Sequence, residues 1–189
     1  MVALWRIEES KDDLFSMLPQ PWKDQLNYNQ LSPHNIAARI LAHKLCPDFD
    51  CFEKDSFGKP YFESKNLKIS ITHSGNFAGF MYTSDDSCGI DIELISDRIN
   101  RIKHKFLGEK ENQFESLGLK GLYLVWCAKE ALYKYYGLKG LDFKKNLKVD
   151  YTSIQTSGEI TGRISKEDFQ ITLNLHYQFF DEYLLIHTL

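Results

Sequence analysis

The chain has 189 residues, enough for one large domain or two small packed halves. Its 43% hydrophobic and 26% charged residues are ordinary for a globular protein and exclude wholesale disorder. A net charge of −3 gives no general attraction to nucleic acid or to an anionic membrane, so electrostatic recognition must come from local patches.

Residues 2–8 read as a first strand, with no basic, apolar, small-residue leader before them. Helix-forming stretches follow around 11–18 and 20–31. In "LSPHNIAARILAHKLCP", Ser32 suits an N-cap, Pro33 the first helical position, and Pro47 a stop, which predicts a helix of about three turns. The period then changes. "KPYF", "LKISITH", "FAGFMYT" and "CGIDIELI" are short β-rich runs separated by turn residues. Helical signals return over 96–112 and 121–137. From Leu147 onward "LKVDYTSIQ", "GEITGRI", "FQITLNLHY" and "EYLLIHTL" read as strands, with Ser157-Gly158 as a turn between two of them. The order helices, strands, helices, strands predicts an α+β fold, with a first half over 1–95 and a second over 96–189.

No apolar run approaches the roughly 20 residues that span a bilayer. The cysteines Cys46, Cys51, Cys88 and Cys127 form no CxxC pair, so a reduced, cytoplasmic protein is the simple expectation.

Three places carry chemistry. In Gly89-Ile90-Asp91-Ile92-Glu93, strand alternation puts Asp91 and Glu93 on one face and the isoleucines on the other. Two adjacent carboxylates repel unless a cation lies between them, and a hard cation such as Mg2+ takes oxygen ligands. The alternative is a solvated strand face. In "WCAKEALYKYYG", Leu124, Ala128, Ala131 and Tyr135 line the expected core face, while Glu130 and Lys134 stand one turn apart. They are either an exposed ion pair or an acid beside a phosphate-binding lysine. In "FGKPY" and "ITHSG", Lys59 sits in a turn before a proline, and Thr72, His73 and Ser74 offer donors at a strand end.

The order Gly-Lys-Pro, Thr-His-Ser, GIDIE and WxxKExxxK resembles the surfactin-type 4'-phosphopantetheinyl transferases over about residues 57–142. The resemblance implies two α+β halves related by a pseudo-twofold axis, with the coenzyme A and Mg2+ site in the cleft between them. It implies transfer of 4'-phosphopantetheine from coenzyme A to a serine of an apo carrier protein, releasing 3',5'-ADP. Asp91, Glu93 and Glu130 match the metal-binding acids, Lys134 the phosphate-side lysine, and Lys59, Thr72 and His73 the coenzyme A-binding positions. Thr72 stands where the family usually has serine. Glu111, with Glu109 as the alternative, matches a further acid near the metal, and either Glu130 or Glu111 is the base for the carrier serine.

Two departures concern phosphate recognition. The arginine that often precedes the helix holding Arg39 is missing from "NQLSPHNIAAR". The basic residue that commonly follows GIDIE closely is delayed to Arg98.

"ELISDRINRIKHKF" places Ile95, Ile99, Ile102 and Phe106 on an apolar stripe and Arg98, Arg101 and Lys105 on the other side. Carriers of this class are acidic, so the basic strip is a docking surface or merely a solvated face. A single chain would supply the whole site, so a monomer is expected. Two other functions fit the residues: a catalytically silent coenzyme A- or carrier-binding homologue, and an unrelated Mg2+-dependent phosphohydrolase.

Overall fold

The structure, a computed structural model, describes residues 1–63, 66–150 and 153–189. The chain divides into two compact units, Met1–Cys88 and Gly89–Leu189. The division falls before the expected boundary at 95/96, because the GIDIE strand pairs with the last strand of the chain.

The first unit opens with β1 (Val2–Arg6), followed by α1 (Lys11–Ser16) and α2 (Gln20–Gln25). The helix expected over 20–31 stops at Gln25, where Leu26 turns extended, and a short 3-10 turn covers Tyr28–Gln30. Helix α3 (Pro33–Leu45) begins as its sequence dictates, with Ser32 Oγ accepting from the Asn35 amide at 3.2 Å and Pro33 occupying the first turn. The strands β2 (Glu53–Lys54), β3 (Pro60–Tyr61), β4 (Lys68–Ser74) and β5 (Phe77–Thr83) complete the unit. Its antiparallel sheet runs β1-β5-β4-β3-β2. Ile36, Ile40, Phe52, Phe62, Ile69 and Phe80 are buried in its core.

The second unit runs β6 (Ile90–Leu94), α4 (Ile99–Phe106), a 3-10 segment (Glu109–Leu117) and α5 (Gly118–Tyr136). Then come β7 (Leu147–Asp150), β8 (Ser157–Lys166), β9 (Phe169–Phe180) and β10 (Tyr183–Thr188). The second antiparallel sheet runs β6-β10-β9-β8-β7. Each unit therefore sets its first strand beside its last and counts back from there, with its longest helix between the first and second strands. Two similar α+β halves arise without any repeat in the sequence.

Two expectations need correction. The strand foreseen over 147–155 ends at Asp150 in the described residues, and Tyr151 and Thr152 lie outside them. Ser157-Gly158 is no turn. It begins β8, and Gly158 is there because a Cβ would come within 3.0 Å of the Tyr177 hydroxyl across the ladder. The next hairpin, from β8 to β9, turns at Glu167–Asp168, with Glu167 at φ +50°.

Candidate active site

Strand β6 pairs antiparallel with β10, setting Asp91 opposite Ile186 and Glu93 opposite Leu184. Alternation turns Ile90 and Ile92 into buried positions on one side and both acids toward α5 on the other. Contact between strand and helix is close because residue 89 is glycine: a Cβ there would lie 1.9 Å from the Ala131 carbonyl oxygen and 3.0 Å from the Tyr135 amide nitrogen. On α5, Leu124, Ala128 and Ala131 are fully buried and Tyr135 packs against the same core, as the stripe foresaw. Trp126, Glu130 and Lys134 follow one another at one-turn intervals and meet the acids of β6.

Lys134 Nζ donates to Asp91 Oδ1 at 2.8 Å and to the Ile90 carbonyl at 2.9 Å, and Asp91 is only 5% exposed. Glu93 accepts from Trp126 Nε1 at 3.1 Å and from the Arg98 guanidinium at 2.8 Å. Arg98 is thus the first cation after GIDIE to reach the acids, despite its delay in the sequence. Its guanidinium pKa is raised by a hydrogen bond to the Tyr123 hydroxyl and by Glu93. Half-buried Glu130 is pushed up to about 7, first by burial, then by the negative charge of Asp91 and, more weakly, Glu93, with Lys134 acting in the opposite sense. The Cys127 thiol is held well above its ordinary range by burial and by Asp91 and Glu93. The structure therefore brings Asp91, Glu93, Glu130 and Lys134 together.

Glu111 stands in a different cluster. It is 2% exposed, and its Oε2 accepts from the Gly108 amide at 2.9 Å and from Lys129 Nζ at 2.6 Å. Its Oε1 accepts from the Val149 amide at 3.0 Å. Fully buried Lys129 spends its remaining donors on the Phe106 and Phe143 carbonyls, both at 2.8 Å. A salt bridge so enclosed ties the 3-10 segment, α4, α5 and β7 into one piece. Sequence reasoning passed over Lys129, although it is the lysine of WxxKE. Trp126 and Arg98 were equally unassigned to Glu93, and the one-turn spacing from Trp126 to Glu130 was the available signal for the first.

Lys59, Thr72 and His73 belong to the first unit. Asp55 builds the Lys59 turn: its Oδ1 accepts from the Phe57 and Lys59 amides at 2.8 and 2.9 Å, and Gly58 takes φ +91°. Lys59 Nζ donates to Ser87 Oγ at 2.7 Å, and burial lowers its pKa. It lines a cavity of about 390 Å³ together with Tyr61, Phe62, Lys68 and Asp86. On β4, His73 is exposed, whereas Thr72 is buried and projects to the opposite face of the sheet. Arg39 points inward, donating to the Asn35 carbonyl at 3.2 Å with its guanidinium 4.5 Å from the centre of the Phe52 ring.

On α4, Ile99 and Phe106 are buried while Arg101, Lys105 and the N-cap Arg98 are exposed. Among the described residues, no helix is long and apolar enough to cross a membrane. None of the curated proteins matches the chain. A profile of the 4'-phosphopantetheinyl transferase superfamily matches residues 87–186, more than half of the chain, spanning β6, α5 and the acids they carry. By that match and by the acid cluster inside it, the chain belongs to the 4'-phosphopantetheinyl transferase superfamily.

Proposed function

We propose that the protein transfers 4'-phosphopantetheine from coenzyme A to a serine of an apo carrier protein, with Mg2+, as a surfactin-type member of its superfamily. The observation that carries the reading is the gathering of Asp91, Glu93, Glu130 and Lys134 where β6 meets α5.

The donor set suits Mg2+. Carboxylate oxygens are its preferred protein ligands, and a glutamate held up to about 7 by burial and then by neighbouring acids fits such a cluster without a cation. Among the described residues no three acids, histidines or cysteines stand arranged to hold a metal as they are. Lys134 occupies Asp91, and Arg98 with Trp126 occupies Glu93. An ion on Asp91 would compete with Lys134 for Oδ1. Asp91, Glu93 and Glu130 would hold the ion, which when bound stabilises charge on the pyrophosphate of coenzyme A. Lys134, freed, can neutralise the leaving 3',5'-ADP, and its contribution grows as that charge develops.

The carrier serine must lose a proton as it attacks phosphorus. Glu111 has both oxygens committed to Gly108, Lys129 and Val149, which leaves Glu130, directly or through a water, as the base. Lys59 and His73 are assigned to coenzyme A, Thr72 to the same substrate through its hydroxyl, and Arg101 with Lys105 to the acidic carrier. The four cysteines, free among the described residues, suit a reducing cytoplasm, and a monomer suffices.

The test is to incubate the protein with coenzyme A, Mg2+ and an apo carrier and to weigh the carrier. A gain of one phosphopantetheine supports transfer. An unchanged carrier contradicts it, in favour of a silent homologue, and phosphate release without carrier modification would mean hydrolysis.

A further inference from the structure

Helix α3 brings a second imidazole to His73. Ser32 Oγ accepts from both the amide and the side-chain nitrogen of Asn35, at 3.2 and 3.0 Å, so the first turn of α3 is held rigidly and the direction of His34 with it. The ring of His34 stacks on that of His73, with centroids 4.8 Å apart and planes inclined by 28°. Its Nε2 lies 2.8 Å from the Gly75 carbonyl oxygen. A carbonyl only accepts, so His34 carries its proton on Nε2.

The two contacts grip one short stretch of chain. His73 lies next to the end of β4, and Gly75, at φ +53°, turns the chain toward β5. One contact fixes the backbone of that turn and the other braces the side chain that precedes it. Without a neighbour, an exposed imidazole samples several rotamers, and ordering it on binding weakens affinity. Of the cations on the same helix, Arg39 is turned toward Phe52 and Lys44 toward Trp5. His34 touches the His73 turn at two points, ring and backbone.

We infer that His34 is a positioning residue for coenzyme A binding: it holds the His73 ring and the Gly75 turn in the orientation that meets the substrate. This rests on the transferase reading given above.

The experiment measures KM for coenzyme A, KM for carrier and kcat in the transfer reaction, with coenzyme A affinity measured separately by calorimetry. His34→Ala is expected to raise KM and Kd for coenzyme A roughly 3- to 10-fold, the scale of one side chain ordered on binding. Carrier KM should not move, and kcat should stay within about twofold. His34→Phe keeps the stacking face and should recover part of the loss. His34→Gln keeps the donor to Gly75 and should recover another part, so a collapse specific to the alanine variant does not decide the matter. In a His73→Ala background, His34→Ala should have little further effect on coenzyme A affinity. Unchanged affinity in His34→Ala, or an equal loss on top of His73→Ala, overturns the inference. A wild-type protein that binds coenzyme A without modifying the carrier overturns the transferase reading alone, and calorimetry still decides the role of His34. A wild-type protein that does not bind coenzyme A overturns both.

Discussion

Glu130 takes its character from burial and then from its acidic neighbours, and that sets a sign. Its folded pKa is raised from about 4.5 to about 7, so between those values the folded protein binds more protons than the unfolded chain. Stability without metal must therefore fall as pH rises through that window, and the penalty is complete above about 7. Glu130→Gln removes the penalty. At pH 8, in chelator, the variant should be more stable than wild type by about 3–4 kcal/mol, since the rise from 4.5 to about 7 counts about 1.4 kcal/mol for each pKa unit. Near pH 4 the two should converge. Denaturant unfolding across this range checks it, and parallel curves for the two proteins would mean that Glu130 does not feel its neighbours as described. Lys134 makes a complementary case. Lys134→Ala takes the ammonium from Asp91, 2.8 Å away, and should cost the metal-free protein about 1–3 kcal/mol, the penalty for weakening a buried polar pair. Mg2+ should then raise Tm more in the variant than in wild type, while kcat for transfer falls. Equal Mg2+ increments in the two proteins would show that Lys134 and the ion do not share a seat.

At the scale of elements, much was legible. Strict alternation in GIDIE gave the face of β6, and the helical stripe of Leu124, Ala128 and Ala131 gave the orientation of α5, because both periods reflect burial on one side only. Ser32 and Pro33 marked the start of α3 by local chemistry alone. Gly158 misled, because a glycine demanded by a distant tyrosine looks the same in sequence as one demanded by a turn. Glu111 was legible as an acid near a motif, but its buried partner Lys129 was not, since no local signal links the two. Gly89 is the most consequential of these positions. Gly89→Ala must push α5 away from β6, since the obstacle is backbone and cannot rotate aside. The expected outcome is a folded protein destabilised by about 1–3 kcal/mol with transfer reduced more than tenfold, because Glu130 and Lys134 lose their distance to Asp91. Wild-type activity with an alanine at 89 would show that this close approach does not set the site.

For the whole molecule, the α+β class and the two-part organisation were readable from the order of periods, but the boundary was not. The division before Gly89 depends on β6 pairing with β10, a contact across nearly the whole second unit that no local signal announces. The shared strand order of the two sheets was equally hidden, since the halves have no repeat in sequence. Partner binding also belongs to this scale. Arg98 is engaged with Glu93, so the docking surface is tested on Arg101 and Lys105 alone. Reversing both charges should raise the KM for carrier several-fold, leave that for coenzyme A unchanged, and flatten the salt dependence, since exposed charges are screened within about 10 Å at physiological ionic strength. An unmoved carrier KM would send the search for the docking face elsewhere. The most direct test of the central claim uses Asp91→Ala, in which the acid shared by Lys134, Glu130 and Cys127 is gone. Tm is measured with and without Mg2+ plus coenzyme A, beside the mass of the carrier after incubation. The account predicts a Tm rise and a modified carrier for wild type, and for the variant a folded protein with neither. An Asp91→Ala protein that kept both the Tm rise and the modified carrier would contradict it.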